Sequence, residues 1–277
     1  MIGKLRLPAA IVFLVLFSVS CKTIAVQNYE INSPKISKDN GIRIVVVSDL
    51  HSSIFRKNQA QLIDAIKACE PDLIFLPGDL FDHRAGNKGA ELLLQGISDL
   101  APVYFVAGNH EYWSGNIHKL KNLLLYYNVN ILSDSYVKTK VNNEEILIAG
   151  IEDPDKGQVE KYEYNQDLMM ESRFRELDEI ELFKILIAHR PEYIANYSKF
   201  SFDLVVSGHT HGGVIRLPFS GKGLYASNQG FFPKYSGGLY KSGNTTLIIS
   251  RGLSFNRPAL PRLFNKPELV VIILESE

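Results

Sequence analysis

IRIVVVSDLH, residues 42–51, is an apolar run that stops abruptly at ionisable residues. Ile42, Ile44, Val45, Val46 and Val47 are β-branched, the type that strands favour. A near-continuous apolar run suits a strand covered on both faces. Asp49 and His51 follow it at once. A buried strand that delivers a carboxylate and an imidazole at its tip predicts either a local accident or a site built at strand ends.

The pattern recurs. DLIFLPGDLFDH (72–83) ends at Asp79 and Asp82, and VYFVAGNHE (103–111) ends at Asn109 and His110. KILIAHRPE (184–192) ends at His189, and DLVVSGHTH (203–211) ends at His209 and His211. Helical apolar spacing fills residues 57–69, 89–100 and 117–127. Strands that alternate with helices predict an α/β fold with a mostly parallel sheet. Ligands of such sheets bind beyond the carboxyl ends of the strands, where all five polar clusters lie. Further strands at 145–149, 247–250 and 269–274 predict a second sheet.

Other segments read differently. Residues 152–181 are highly charged and predict a solvated helix with a loop. Residues 212–243 hold eight glycines and the aromatics Phe219, Tyr225, Phe231, Phe232, Tyr235 and Tyr240. They follow the double histidine directly and are expected to form a lip over the site. Gly243 and Asn244 predict a hairpin turn.

Composition narrows the function. Thirty Lys and Arg balance thirty Asp and Glu, so no net field draws the chain to nucleic acid, and none is expected as a partner. Cys21 and Cys69 are the only cysteines, which excludes a disulfide scaffold and a cysteine-type zinc site. Lys4 and Arg6 precede an apolar run at 7–19 that ends in Ser20 and Cys21. A basic start, a short apolar stretch and a small residue read as an export signal. The run is shorter than the roughly 20 residues a spanning helix needs. Cys21 resembles a lipobox cysteine, although Ser18 stands where Leu is usual. A cleaved signal peptide and an uncleaved anchor are the alternatives. Each places the globular part outside the cytoplasm, in the cell envelope. Residues 1–21 are thus expected to be an anchor, 22–40 a flexible tether and 41–277 a catalytic domain acting as a monomer.

Five of the seven histidines fall in the strand-end clusters. Imidazole and carboxylate together suit Mn, Fe or Zn better than Ca or Mg. SDLH, GDLFD, GNHE, AHRPE and GHTH, in that order, resemble the calcineurin-like metallophosphoesterases, and IRLP, SRGL and RLFNKPEL resemble an exported or membrane-tethered bacterial subgroup. The resemblance covers roughly residues 42–275. It implies a four-layer α/β/β/α sandwich of two mixed sheets and two divalent metal ions. Asp49, His51 and His211 would hold one ion, Asn109, His189 and His209 the other, with Asp79 bridging. Asn109 is neutral, so a site with two carboxylates keeps positive charge for a phosphate. The resemblance further implies attack on phosphorus by hydroxide held at the metals. It makes His110 the general acid or transition-state stabiliser, with Asp82 orienting it; a helix N-cap is the alternative for Asp82. Glu111 is expected to be a structural hydrogen-bonder, and His83 and His118 ordinary surface or packing residues. Arg190 fits either a phosphate or a salt bridge.

The expected substrate is a phosphodiester, pyrophosphate or phosphomonoester, either a small molecule or a lipid-linked one. The alternative is UDP-2,3-diacylglucosamine, which relatives of this subgroup cleave in lipid A synthesis. A non-catalytic scaffold is less consistent with the motifs, because no ligand position is missing.

Overall fold

The computed structural model describes residues 23–38, 41–255 and 262–277. The expected anchor, with Cys21 and the apolar run at 7–19, lies outside them. All five apolar runs form strands. β2 (Ile42–Val46), β3 (Leu73–Pro77) and β4 (Val103–Val106) are parallel neighbours, as are β8 (Phe183–Ala188) and β9 (Leu204–Ser207). Every residue of β3, β4, β8 and β9 is buried, as their unbroken apolarity requires.

Two six-stranded sheets stack on one another. The first adds β1 (Ala25–Asn32), β5 (Asn130–Ile131) and β14 (Glu268–Glu275), in the order β1-β14-β2-β3-β4-β5. The second adds β6 (Ser135–Val141), β7 (Glu144–Ile151), β12 (Gly238–Ser242) and β13 (Thr245–Ile249), in the order β12-β13-β9-β8-β7-β6. Both sheets mix parallel and antiparallel neighbours.

Three apolar clusters separate four layers. Ile44, Phe75, Ile148 and Ile187 pack between the sheets. α1 (Ala60–Ala68), α2 (Lys88–Ile97) and α4 (Ile117–Tyr126) cover the outer face of the first sheet through Leu62, Leu94 and Leu124. α6 (Gln166–Phe174) covers the second sheet through Met170 and Phe174. The short α3 (Asn109–Trp113), α5 (Asp155–Glu160) and α7 (Ile194–Tyr197) lie in the connections. The four-layer α/β/β/α sandwich is therefore the fold.

Two expectations need correction. Residues 22–40 are not all tether, because Ala25–Asn32 pairs along its whole length with β14. Its sequence, AVQNYEIN, has only exposed and half-buried positions and no buried one, and the polarity of an edge strand disguised it. The last strand belongs to the first sheet, inserted between β1 and β2, and not to the second.

Among the described residues, no helix is long and apolar enough to cross a membrane. Gly243 and Asn244 do join β12 to β13, which pair Ser242 with Thr245 across the turn.

Candidate metal centre

The backbone turns sharply where each strand ends. Asp49, His51, Asp79, His209 and His211 all adopt left-handed φ, between 46° and 69°. Each such residue costs roughly 1–3 kcal/mol and persists only where its surroundings hold it. Five in one small volume mark a site that the rest of the fold supports. Close backbone approach makes the turns possible. A Cβ on Gly108 would lie 2.4 Å from Asp79 Oδ1, and one on Gly208 only 1.9 Å from Ser48 Oγ.

These turns bring the seven expected ligands together. Asp49, His51, Asp79 and His211 form one group and Asp79, His189 and His209 a second, each with donor atoms within 4.8 Å of one another. Asp79 belongs to both. Its Oδ2 lies 3.5 Å from His51 Nε2 and 3.3 Å from His189 Nε2. His51 Nε2 is 3.3 Å from His211 Nε2, which is 3.7 Å from Asp49 Oδ1. On the other side, His189 Nε2 is 3.2 Å from both Asn109 Oδ1 and His209 Nδ1.

The donor set fits divalent cations. Asp49 and Asp79 are buried carboxylates facing imidazole nitrogens. His189 Nδ1 donates to the Pro77 carbonyl at 2.7 Å, which turns its Nε2 lone pair inward. Burial, then the neighbouring His189, pushes His209 down to about 3, so its ring stays neutral. Burial opposes charge on His189 too, but the Asp79 carboxylate outweighs it and lifts His189 to about 10. A cation at this position would take the place of that proton.

Sequence reasoning missed Asn228. It sits at the tip of a short hairpin made by β10 (Tyr225–Ala226) and β11 (Gly230–Phe231). Its Oδ1 lies 3.0 Å from His209 Nε2. Accepting the Nε2 proton leaves the Nδ1 lone pair facing the cluster. Asn265 was also missed. Its Nδ2 donates to the carbonyls of His211 and Val214, which holds the turn after the double histidine.

His110 lies beside the cluster and donates its backbone N–H to Asp79 Oδ1 at 2.9 Å. Its side chain lies in one group with Asp82 and His51. Asp82 Oδ2 is 3.9 Å from His110 Nδ1 but 3.3 Å from His51 Nδ1. His83 supplies the short contact, with its Nδ1 2.9 Å from His110 Nδ1. Arg84 Nε donates to His83 Nε2 at 2.9 Å. A neutral His83 therefore carries its proton on Nδ1 and donates to His110, whose own proton then sits on Nε2. His83 is thus no ordinary surface histidine. Asp82 is not a helix cap either: it accepts from the Arg84 N–H, and α2 begins only at Lys88.

Glu111 is the structural hydrogen-bonder expected of it. Its carboxylate accepts from the N–H groups of Asp79, Phe81 and Gly108. Burial, then the charge of Asp79, raises it to about 8. Arg190 settles as a salt bridge, held bidentately by Asp153 and also paired with Asp155.

A cleft of 440 Å³ opens over the cluster. Its walls include Trp113, Val214, Tyr225 and Asn228. The lip aromatics divide. Phe219, Tyr225, Phe231 and Phe232 are exposed. Tyr235 and Tyr240 pack against the core on the outer face of the second sheet.

The family model for calcineurin-like phosphoesterases matches residues 42–213. An uncharacterised metallophosphoesterase of Campylobacter jejuni is 31% identical over 285 residues, covering 100% of this chain and 71% of its own length. The metallophosphoesterase YkuE of Bacillus subtilis is 28% identical, over 86% of this chain and 80% of its own. Among solved structures, the sulfate thiohydrolase SoxB of Thermus thermophilus superposes with a TM-score of 0.52 at 12% identity. That match covers 89% of this chain and 58% of SoxB, and it speaks to the fold alone. The fold and the grouped donors define a metal-dependent phosphoester hydrolase. The chain belongs to the calcineurin-like phosphoesterase family.

Proposed function

We propose that this protein is a dinuclear phosphoesterase of the cell envelope, attached to the membrane through its N-terminus. It acts on a phosphodiester, pyrophosphate or phosphomonoester. The observation that carries the dinuclear reading is Asp79 Oδ2, which lies within 3.5 Å of an imidazole from each group. Asp49, His51 and His211 would hold one ion and Asn109, His189 and His209 the other, with Asp79 placed between the two groups. Mn, Fe or Zn suits this mixed donor set.

Bound metals would supply Lewis acidity and a water of lowered pKa. The chain does the rest. Asn109 contributes an oxygen without charge, so the site stays attractive to a phosphate. His110 presents the Nε2 proton to the departing oxygen of the substrate. His83 and Arg84 keep that proton on Nε2, while Asp82 steadies His51. Arg190 is already matched by two carboxylates, the buried Asp153 and Asp155, which lies at the cleft wall. Trp113, Val214 and Tyr225 offer an apolar face to whatever the phosphate is attached to. That face also suits UDP-2,3-diacylglucosamine, the alternative substrate, but an extracytoplasmic site would not meet that intermediate.

The test is a substrate panel with the metal-loaded full-length chain. An aryl phosphodiester, an aryl phosphomonoester, a nucleotide-sugar pyrophosphate and UDP-2,3-diacylglucosamine are assayed with and without chelator. Hydrolysis of a member of the first three that disappears on chelation supports the proposal. Exclusive turnover of the last replaces it with the alternative, and no turnover of any contradicts it.

A further inference from the structure

The segment that forms the lip is unlike the rest of the chain in charge. The whole chain is electrically balanced, yet residues 204–267 contain eight Lys and Arg and no Asp or Glu. This segment supplies the lip. Phe219, Phe231 and Phe232 stand exposed there, Phe219 fully and the other two by 71% and 66%. Lys222 and Lys234 are exposed among them. The hairpin that carries Phe231 also places Asn228 on His209, so the aromatic tip is fixed beside the metal cluster. Large apolar side chains interspersed with cations, with no acid among them, have the chemistry of an interfacial membrane contact.

The topology places the chain's N-terminal segment at the same edge. β2, β3 and β4 run toward the cluster at their carboxyl ends. β14 is antiparallel to β2, so it starts at that edge. β1 is parallel to β14 and pairs Ala25 with Glu268, so it starts there as well. On the neighbouring sheet, the lip leads into β12 at Gly238, where an added Cβ would be 4.0 Å from Tyr29 Oη of β1. The apolar run ends at Val19, four residues before Thr23. A stretch of four residues spans at most about 14 Å whatever its conformation.

We infer that the cleft-bearing edge docks on an anionic lipid bilayer, with Phe219, Phe231 and Phe232 at the interface and Lys222 and Lys234 among the headgroups. The cleft then opens along the lipid surface, and its natural substrates are phosphate esters presented there. The docking does not rest on the hydrolase reading. The proposed N-terminal attachment enters only through the distance it sets.

The test uses Trp113, the sole tryptophan. In full-length W113F chains, tryptophan is reintroduced either at the lip (F231W) or at the opposite edge (Y126W), where α4 ends ahead of β5. Each chain is mixed with phosphatidylglycerol vesicles whose acyl chains are brominated. Flotation reports attachment, and loss of tryptophan emission reports which edge meets the lipid. The F231W,W113F chain is expected to lose emission and the Y126W,W113F chain to keep it. Adding K222E and K234E should weaken the F231W quenching on phosphatidylglycerol while the chain still floats through its N-terminus. Circular dichroism confirms that each variant is folded, and the wild-type Trp113 signal serves as a second reporter on the cleft side. Floating chains with equal quenching at both positions, or with none at F231W, would overturn the inference. A response of F231W to single-stranded oligonucleotide but not to vesicles would overturn it too, and would assign the face to nucleic acid.

Discussion

Asn228 holds His209 from outside the cluster: its Oδ1 lies 3.0 Å from His209 Nε2, and the opposite ring nitrogen faces His189. A lip residue thus sets the tautomer of an expected metal ligand. Asn228→Ala should weaken metal binding by about 10–100-fold, the usual worth of such an outer contact. Competitive titration with a fluorescent chelator reads the change. Asn228→Asp, which keeps the acceptor, should recover most of the affinity. Unchanged binding in Asn228→Ala would show that the contact is incidental.

His110 and His83 make a kinetic prediction. His110→Asn should retain its metals and lose about 10²–10⁴ in rate. The loss should be greater for alkoxide leaving groups than for nitrophenolate, which leaves without a proton. His83→Ala should show the same leaving-group bias at smaller size, about 10-fold or more, with KM little changed. Equal losses on both substrate types would remove His110 from the role of acid.

Stability should depend on pH in a metal-sensitive way. Burial and then Asp79 raise Glu111 to about 8, and Asp79 overcomes burial to lift His189 to about 10. A raised pKa means that the folded state holds its proton longer than the unfolded chain. The stabilisation is complete below the unfolded value and is lost as pH climbs toward the folded value. Both groups act in the same direction between pH 6.5 and 8. The chelated protein should therefore show a falling Tm across that window in a thermal scan, and the metal-loaded protein should resist the fall. A Tm that rises across it in chelator would contradict these assignments.

Much of this site is legible in the sequence, because donors follow directly on apolar runs. Asp49, Asp79, Asn109, His189 and His209 each sit within three residues of a strand end, so strand periodicity places them all at one edge. What failed to show depends on partners distant in sequence. β1 looks irregular because one side of it faces solvent, and only β14 reveals it as a strand. Asn228 carries no motif, and only the hairpin brings it to His209. His83 follows Asp82, and the spacing drew attention to the carboxylate. The imidazole is closer to His110 because the chain turns between them.

The central claim is that Asp79 joins two metal sites, and metal stoichiometry tests it most directly. Wild-type protein, purified without chelator and reconstituted with Mn, should carry two ions per chain by elemental mass spectrometry. His211→Ala should keep one, and Asp79→Ala should lose affinity at both. Fewer than one ion in the reconstituted wild type, or a folded Asp79→Ala chain that still holds two ions at unchanged affinity, would contradict it.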